Sequence, residues 1–230
     1  LRSDQFAEDA GPGAHPVKPE SYIEVANFYT TTVYEKGAEV IRMLRTLLGA
    51  DAFRRGVALY LARHDGQAVT TEDFVRAMEE AAGCDLAQFR LWYHQAGTPE
   101  LQLEGRYDAQ EHVYRLTVRQ TCPPTPGQPR KEPMHIPLAV GMLDEQGCEL
   151  PVQLKGATPG PARTTQVLEI RRASESFEFL NVPSAPVLSV LRDFSAPVHV
   201  TVARSEREAA LLMTRDSDAV SRWDSAQDLA

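Results

Sequence analysis

The hydrophobic pattern of this chain changes period once, near Gly97-Thr98-Pro99. Before that point apolar residues recur every three or four positions, the spacing of one helical face. After it they alternate every second position, the spacing of a strand with one buried side. A chain built this way folds as a helical layer followed by a separate β layer. Its 230 residues are enough for each to bury a core.

The helical part opens on a lead broken by Gly11, Pro12, Gly13, Pro16 and Pro19, which cannot be one regular element. Residues 21–33 carry the anchors Tyr22, Ile23, Phe28 and Tyr29. From Tyr34 onward Gly37, Val40, Ile41, Leu44, Leu47 and Leu48 predict a helix with one buried face, stopped at Gly49. Phe53, Val57, Tyr60 and Leu61 predict a second buried face. Thr70 and Asp73 read as a capping box for a third helix, carrying Phe74, Val75 and Met78 and ending at Gly83. A short fourth helix carries Leu86, Phe89 and Tyr93.

The β part predicts seven or so short strands, enough for a sandwich of about a hundred residues. Leu101 and Leu103 share a face, as do Tyr114, Leu116 and Val118. Five prolines from Pro123 to Pro133 make a stiff loop unfit for a ladder. Met134 to Met142 is the longest alternation, and Pro137 within it predicts an edge position or a bulge. A turn at 144–147 predicts a hairpin between that strand and residues 148–154. Further strands fit 166–170, 176–180, 187–191 and 198–202. From Ser205 the pattern is helical again, and Val220, Trp223 and Ala226 predict one more face. That last periodic stretch ends without a stop signal, and the chain begins without Met, so we expect a piece of a longer protein.

The chemistry inventory is sparse. Six histidines include no pair at metal-binding spacing, and HExxH, GxSxG, P-loop and GxGxxG patterns are absent. Three cysteines cannot all pair within one chain, which favours a reducing compartment. The net charge of −8 argues against nucleic acid as a partner. No run approaches the eighteen apolar residues of a membrane span. The segment that stands out is Asn27-Phe-Tyr-Thr-Thr-Thr-Val-Tyr34-Glu-Lys-Gly-Ala38. It predicts Tyr34 at the first helical turn, where free N–H groups point outward and a phenol could donate to a developing oxyanion. Glu35 suits the helix dipole there and could receive a cation, whereas Lys36 does not suit it and needs another reason. Gly37 would permit close backbone approach. A plain solvated helix start, with Tyr34 packing locally, fits the same spacing.

These residues carry a family likeness. Tyr34-Glu-Lys-Gly-Ala38 resembles the tyrosine motif of the M1 (gluzincin) zinc aminopeptidases. Gln5-Phe-Ala-Glu-Asp-Ala-Gly, Ala14-His-Pro-Val-Lys-Pro-Glu and Asn27-Phe-Tyr-Thr are similar to the bacterial aminopeptidase N branch. So are His64-Asp-Gly-Gln-Ala, Trp92-Tyr-His-Gln-Ala-Gly-Thr-Pro99, Arg192-Asp-Phe-Ser-Ala-Pro197 and Ser221-Arg-Trp-Asp224. Ala26 stands where that branch often has a second Asn.

The resemblance implies residues 1–97 as the helical end of a thermolysin-like catalytic domain. It implies 98–199 as an immunoglobulin-like antiparallel β-sandwich, and 200–230 as the opening of a helical C-terminal domain. It implies removal of N-terminal amino acids from peptides, with a zinc held by two His and one Glu activating a water. It gives Tyr34 the oxyanion, and makes Tyr29, Asn27 and Glu35 candidates for substrate contact. The zinc ligands, the general base and the segment that recognises the free amino group do not occur in these residues. The fragment alone is therefore expected to hold no zinc and to be inactive. The missing parent domains are the expected partners, and the expected location is cytoplasmic. The alternative is a non-catalytic interaction module, a β-sandwich with a helical cap.

Overall fold

The computed structural model describes residues 1–157, 160–161 and 163–229. Ala230, the last residue of the expected helical-domain opening, lies outside them. The chain divides into two compact units. The first comprises residues 1–97 and 125–135, and the second 98–124 and 136–230. No helix among the described residues is long and apolar enough to cross a membrane.

In the first unit, α1 spans Gln5–Asp9. A 3₁₀ turn at Val25–Phe28 and a π turn at Thr32–Lys36 lead directly into α2, Gly37–Leu48. Then come α3, Ala50–His64, and α4, Thr71–Ala82. A 3₁₀ turn at Gln88–Arg90 precedes α5, Leu91–His94. The capping box forms as read: Thr70 N–H donates to Asp73 Oδ2 at 2.9 Å, and Gly83 ends α4 with φ +65°. Val40, Met43, Leu44, Val75, Met78, Leu86, Phe89 and Trp92 build the core. The second predicted face is only half-buried: Phe53, Val57 and Tyr60 are partly covered, Leu61 is exposed, and Gly56 is the fully buried residue of α3. A methyl at Gly56 would collide with Met78 of α4, so the two helices approach closely there, and Tyr60 of α3 meets Phe74 of α4 edge-on at 5.3 Å.

From Thr125 onward the proline-rich loop folds within the first unit. Gln88 and Gln95 donate to the carbonyls of Pro133 and Glu132, and Trp92 Nε1 donates to His135 O at 2.9 Å. With few N–H groups of its own to pair, the loop offers carbonyls that these helix-end side chains cap.

The second unit is a two-sheet sandwich. Its strands are β1 Glu100–Asp108, β2 Val113–Thr121, β3 Ile136–Leu143, β4 Glu149–Leu150, β5 Gln153–Leu154, β6 Thr165–Ile170, β7 Ser174–Leu180, β8 Val187–Val190 and β9 His199–Val202. One sheet runs β5-β7-β2-β1-β9; the other is built around β3. The sandwich is not wholly antiparallel, because β9 pairs with β1 in parallel. The expected hairpin partner at 148–154 splits in two. Glu149 and Leu150 pair with β3, and Gln153 and Leu154 cross to β7 in the other sheet. β3 has all eight residues buried and is flanked on both sides only towards its C-terminal end, so Pro137 does take the locally edge-like position that its missing N–H predicts. β8 pairs with it only over residues 140–143, so at Pro137 only the β6 side is paired and the missing N–H costs no ladder bond on the other.

Two helices, α6 Glu206–Arg215 and α7 Ala219–Asp228, close this unit. Leu212 and Leu211 of α6 pack on Leu143 and Val187. The face predicted for α7 is not the buried one. Trp223 is 53% exposed, and Ser221 and Ser225 are buried instead. Ser221 faces Ser189 Oγ at 3.1 Å, so a polar contact sets the rotation of this helix.

Candidate functional site

The tyrosine segment is organised by α1. Glu8 accepts from Thr31 Oγ1 at 2.7 Å and from Thr32 N–H at 3.1 Å. Gln5 Nε2 donates to Thr32 Oγ1 at 3.2 Å. The next residue, Asp9, accepts from Lys36 Nζ at 2.6 Å and from Gly97 N–H at 2.9 Å, and Lys36 also donates to Gly97 O. Lys36 is fully buried, 6.0 Å from the Trp92 ring centroid. Burial works against the charge of Asp9, but Lys36 and the Gly97 N–H overcome it and hold the carboxyl below the usual range. Glu8 is likewise held low: hydrogen bonds from Thr32 and Thr31 outweigh the cost of its partial burial.

Between these two anchors lies the five-residue π turn, closed by Gly37 N–H donating to Thr32 O. Tyr34 sits at its centre with 59% of its surface exposed, stacked on Tyr29 with centroids 6.0 Å apart and planes at 20°. Tyr29 in turn meets Phe28 edge-on at 5.9 Å, and Phe28 meets Tyr22 at 5.8 Å. The expectation of free N–H groups at this turn is overturned. Thr32 N–H goes to Glu8, Val33 N–H to Thr30 Oγ1 at 3.1 Å, and Tyr34 N–H to Thr30 O at 3.2 Å. The turn therefore offers a phenol as donor, not its backbone. Nor does Gly37 mark a close approach, since a methyl there would meet Val17 at an ordinary 3.5 Å.

Of the four residues singled out in the sequence, the structure brings Tyr29 and Tyr34 together by stacking. Asn27 lines a shallow depression of about 310 Å³ with His15, Ser21, Tyr22 and Thr30. Glu35 lies in the same turn as Tyr34 and is exposed. The reason for Lys36 is its buried pair with Asp9. Sequence reasoning did not single out Glu8 or Asp9; the misfit of Lys36 with the helix dipole was the one signal of a hidden carboxylate. Cys84 and Cys148 are exposed and unbonded to each other or to Cys122. Among the described residues no group of three His, Cys, Asp or Glu side chains is placed to hold a metal ion.

Residues 2–93 match the Peptidase family M1 domain, and residues 97–203 match a domain of unknown function (DUF3458) with an Ig-like fold. The chain is 47% identical over 229 residues to aminopeptidase N of Escherichia coli and 49% identical over 228 residues to aminopeptidase N of Haemophilus influenzae. It spans about 26% of the length of each. A crystal structure of Legionella pneumophila aminopeptidase A in complex with aspartic acid superposes with a TM-score of 0.81 at 29% identity, over 96% of this chain and 24% of that one.

Proposed function

We propose, from the match of residues 2–93 to the peptidase M1 domain and the identity to aminopeptidase N, that this chain forms part of a zinc aminopeptidase in which Tyr34 stabilises the tetrahedral oxyanion. The observation that carries the reading is the presentation of Tyr34. Its phenol is exposed at the centre of a turn whose own N–H groups are occupied, while both ends of the turn are fixed. A donor held still before charge develops on the substrate oxygen needs no reorganisation during the reaction. Tyr29, Asn27 and Glu35 are assigned to the substrate side, with peptides bearing a free N-terminus as substrates.

Zinc is implied by the family, but the donor set of the described residues does not fit it. In this reading the metal is held outside this chain, and no step is routed through it here. Residues 1–97 are assigned to the helical end of the catalytic domain, 98–199 to the sandwich and 200–230 to the opening of a further helical domain. The assigned location is cytoplasmic.

The test is Tyr34→Phe in a chain extended to the length of the relatives. Losing one oxyanion donor costs about 2.7–4 kcal/mol, a loss of ~10²–10³ in kcat. The KM for an aminoacyl-arylamide should change little. An unchanged kcat removes Tyr34 from the mechanism.

A further inference from the structure

We propose that α1 is the positioning element for Tyr34, with Glu8 as a positioning residue that holds the leading end of the π turn. The inference rests on the oxyanion role proposed for Tyr34 and adds how that phenol is aimed.

Neighbouring carboxylates on one short helix grip the two ends of the turn. Glu8 takes the side chain of Thr31 and the N–H of Thr32, and Asp9 takes Lys36. Tyr34 lies midway. The two grips differ in kind. The Asp9–Lys36 pair is buried and ties the turn to Gly97, so it belongs to the packing of the unit. Glu8 is part-exposed, and besides the two threonines it faces the His15 ring, with Nε2 at 3.6 Å. Its hydrogen bonds bear on the turn itself.

A π turn holds one residue more than an α turn, and such insertions persist where the surroundings keep them. Releasing the leading end lets the segment rewind to α geometry. A one-residue change of register rotates a side chain by about 100° about the helix axis. That would carry the Tyr34 phenol away from its present direction while leaving the buried end at Lys36 intact. Displacement of a catalytic group by about 1 Å can already cost ~10²-fold.

The experiment is a double-mutant cycle in a chain extended to the length of the relatives, with kcat and KM measured for Glu8→Ala, Tyr34→Phe and the double variant. Glu8→Ala is expected to lower kcat on the order of 10- to 10²-fold with KM within about twofold. It should cost nothing further once Tyr34 is Phe. If the Ala variant fails to fold, Glu8→Gln carries the same cycle with a smaller loss. Unchanged kcat in a folded Glu8 variant, a loss confined to KM, or full additivity with Tyr34→Phe overturns the inference. If Tyr34→Phe itself leaves kcat unchanged, the oxyanion reading fails, and the positioning role falls with it. A drop for Tyr34→Phe without coupling sinks the positioning role alone.

Discussion

Removing the Asp9 carboxylate should destabilise the first unit more than removing any exposed charge on it. Lys36 Nζ lies 2.6 Å from Asp9 Oδ2, with the two side chains 1% and 0% exposed. Breaking such a pair from one side leaves an uncompensated buried charge, typically about 3–5 kcal/mol. Asp9→Ala also strips the acceptor from Gly97 N–H, which adds about 1–3 kcal/mol if nothing replaces it. Lys36→Met leaves the opposite orphan, the carboxylate, with Gly97 N–H still in place. The double variant Asp9→Leu/Lys36→Met removes both charges and should be less destabilised than either single change. Trp92 is the reporter, because its buried ring stands 6.0 Å from Lys36 Nζ; Trp223→Phe removes the other tryptophan. With a urea slope of about 2 kcal/mol/M, a 3–5 kcal/mol loss moves the fluorescence midpoint down by ~1.5–2.5 M. A shift for Asp9→Ala below about 0.5 M, or a double variant weaker than both singles, would refute the reasoning.

Two further outcomes are expected. Arg90 donates to Glu72 at 2.8 Å and to both oxygens of Glu79 at 2.7 and 2.9 Å, and these hydrogen bonds hold both carboxyls below their usual range against partial burial. A depressed folded pKa gives stability that is present above the unfolded value, about 4.3, and lost as pH falls through the folded one. Urea midpoints of the first unit should therefore drop below about pH 4.3, and less steeply in Glu79→Gln; an identical slope in that variant counts against it. In the second unit, Gly141→Ala should cost about 1–3 kcal/mol by overpacking, because the Arg192 guanidinium occupies the space of the new methyl. Arg192 cannot step aside cheaply. It bonds Ser189, Thr165, Asp216 and Glu149 from a backbone where Leu191 and Asp193 have φ +55° and +53°. Faster hydrogen exchange in β3 and β8 is the readout, and unchanged exchange would contradict it.

Much of the order of elements was legible without coordinates. The period switch near Pro99, the stop at Gly83 and the Thr70–Asp73 box depend on residues within a few positions of one another, and the structure has each of them in place. Side-chain period also selects the inward faces of β1 and β2. Tyr34 stood out because a run of hydroxyl and aromatic residues before an apolar-faced helix is a local pattern.

What the sequence by itself could not determine depends on distant partners. Lys36 was visibly misplaced for a helix dipole, yet its reason lies at Asp9, 27 residues away, and Gly97, 61 residues away. The first N–H of the π turn, at Thr32, is taken by Glu8, more than twenty positions earlier. β3 is buried on both faces, so alternation could not say that it is flanked on both sides towards its C-terminal end. α7 turns Ser221 inward, where Ser189 Oγ meets it, against the preference of Trp223 for burial. Local pattern sets an element when the competing conformations differ in the burial of nearby residues. A buried charge or an inserted turn residue is stable only with a partner whose position in the chain carries no periodic signal, so only the tertiary structure decides it.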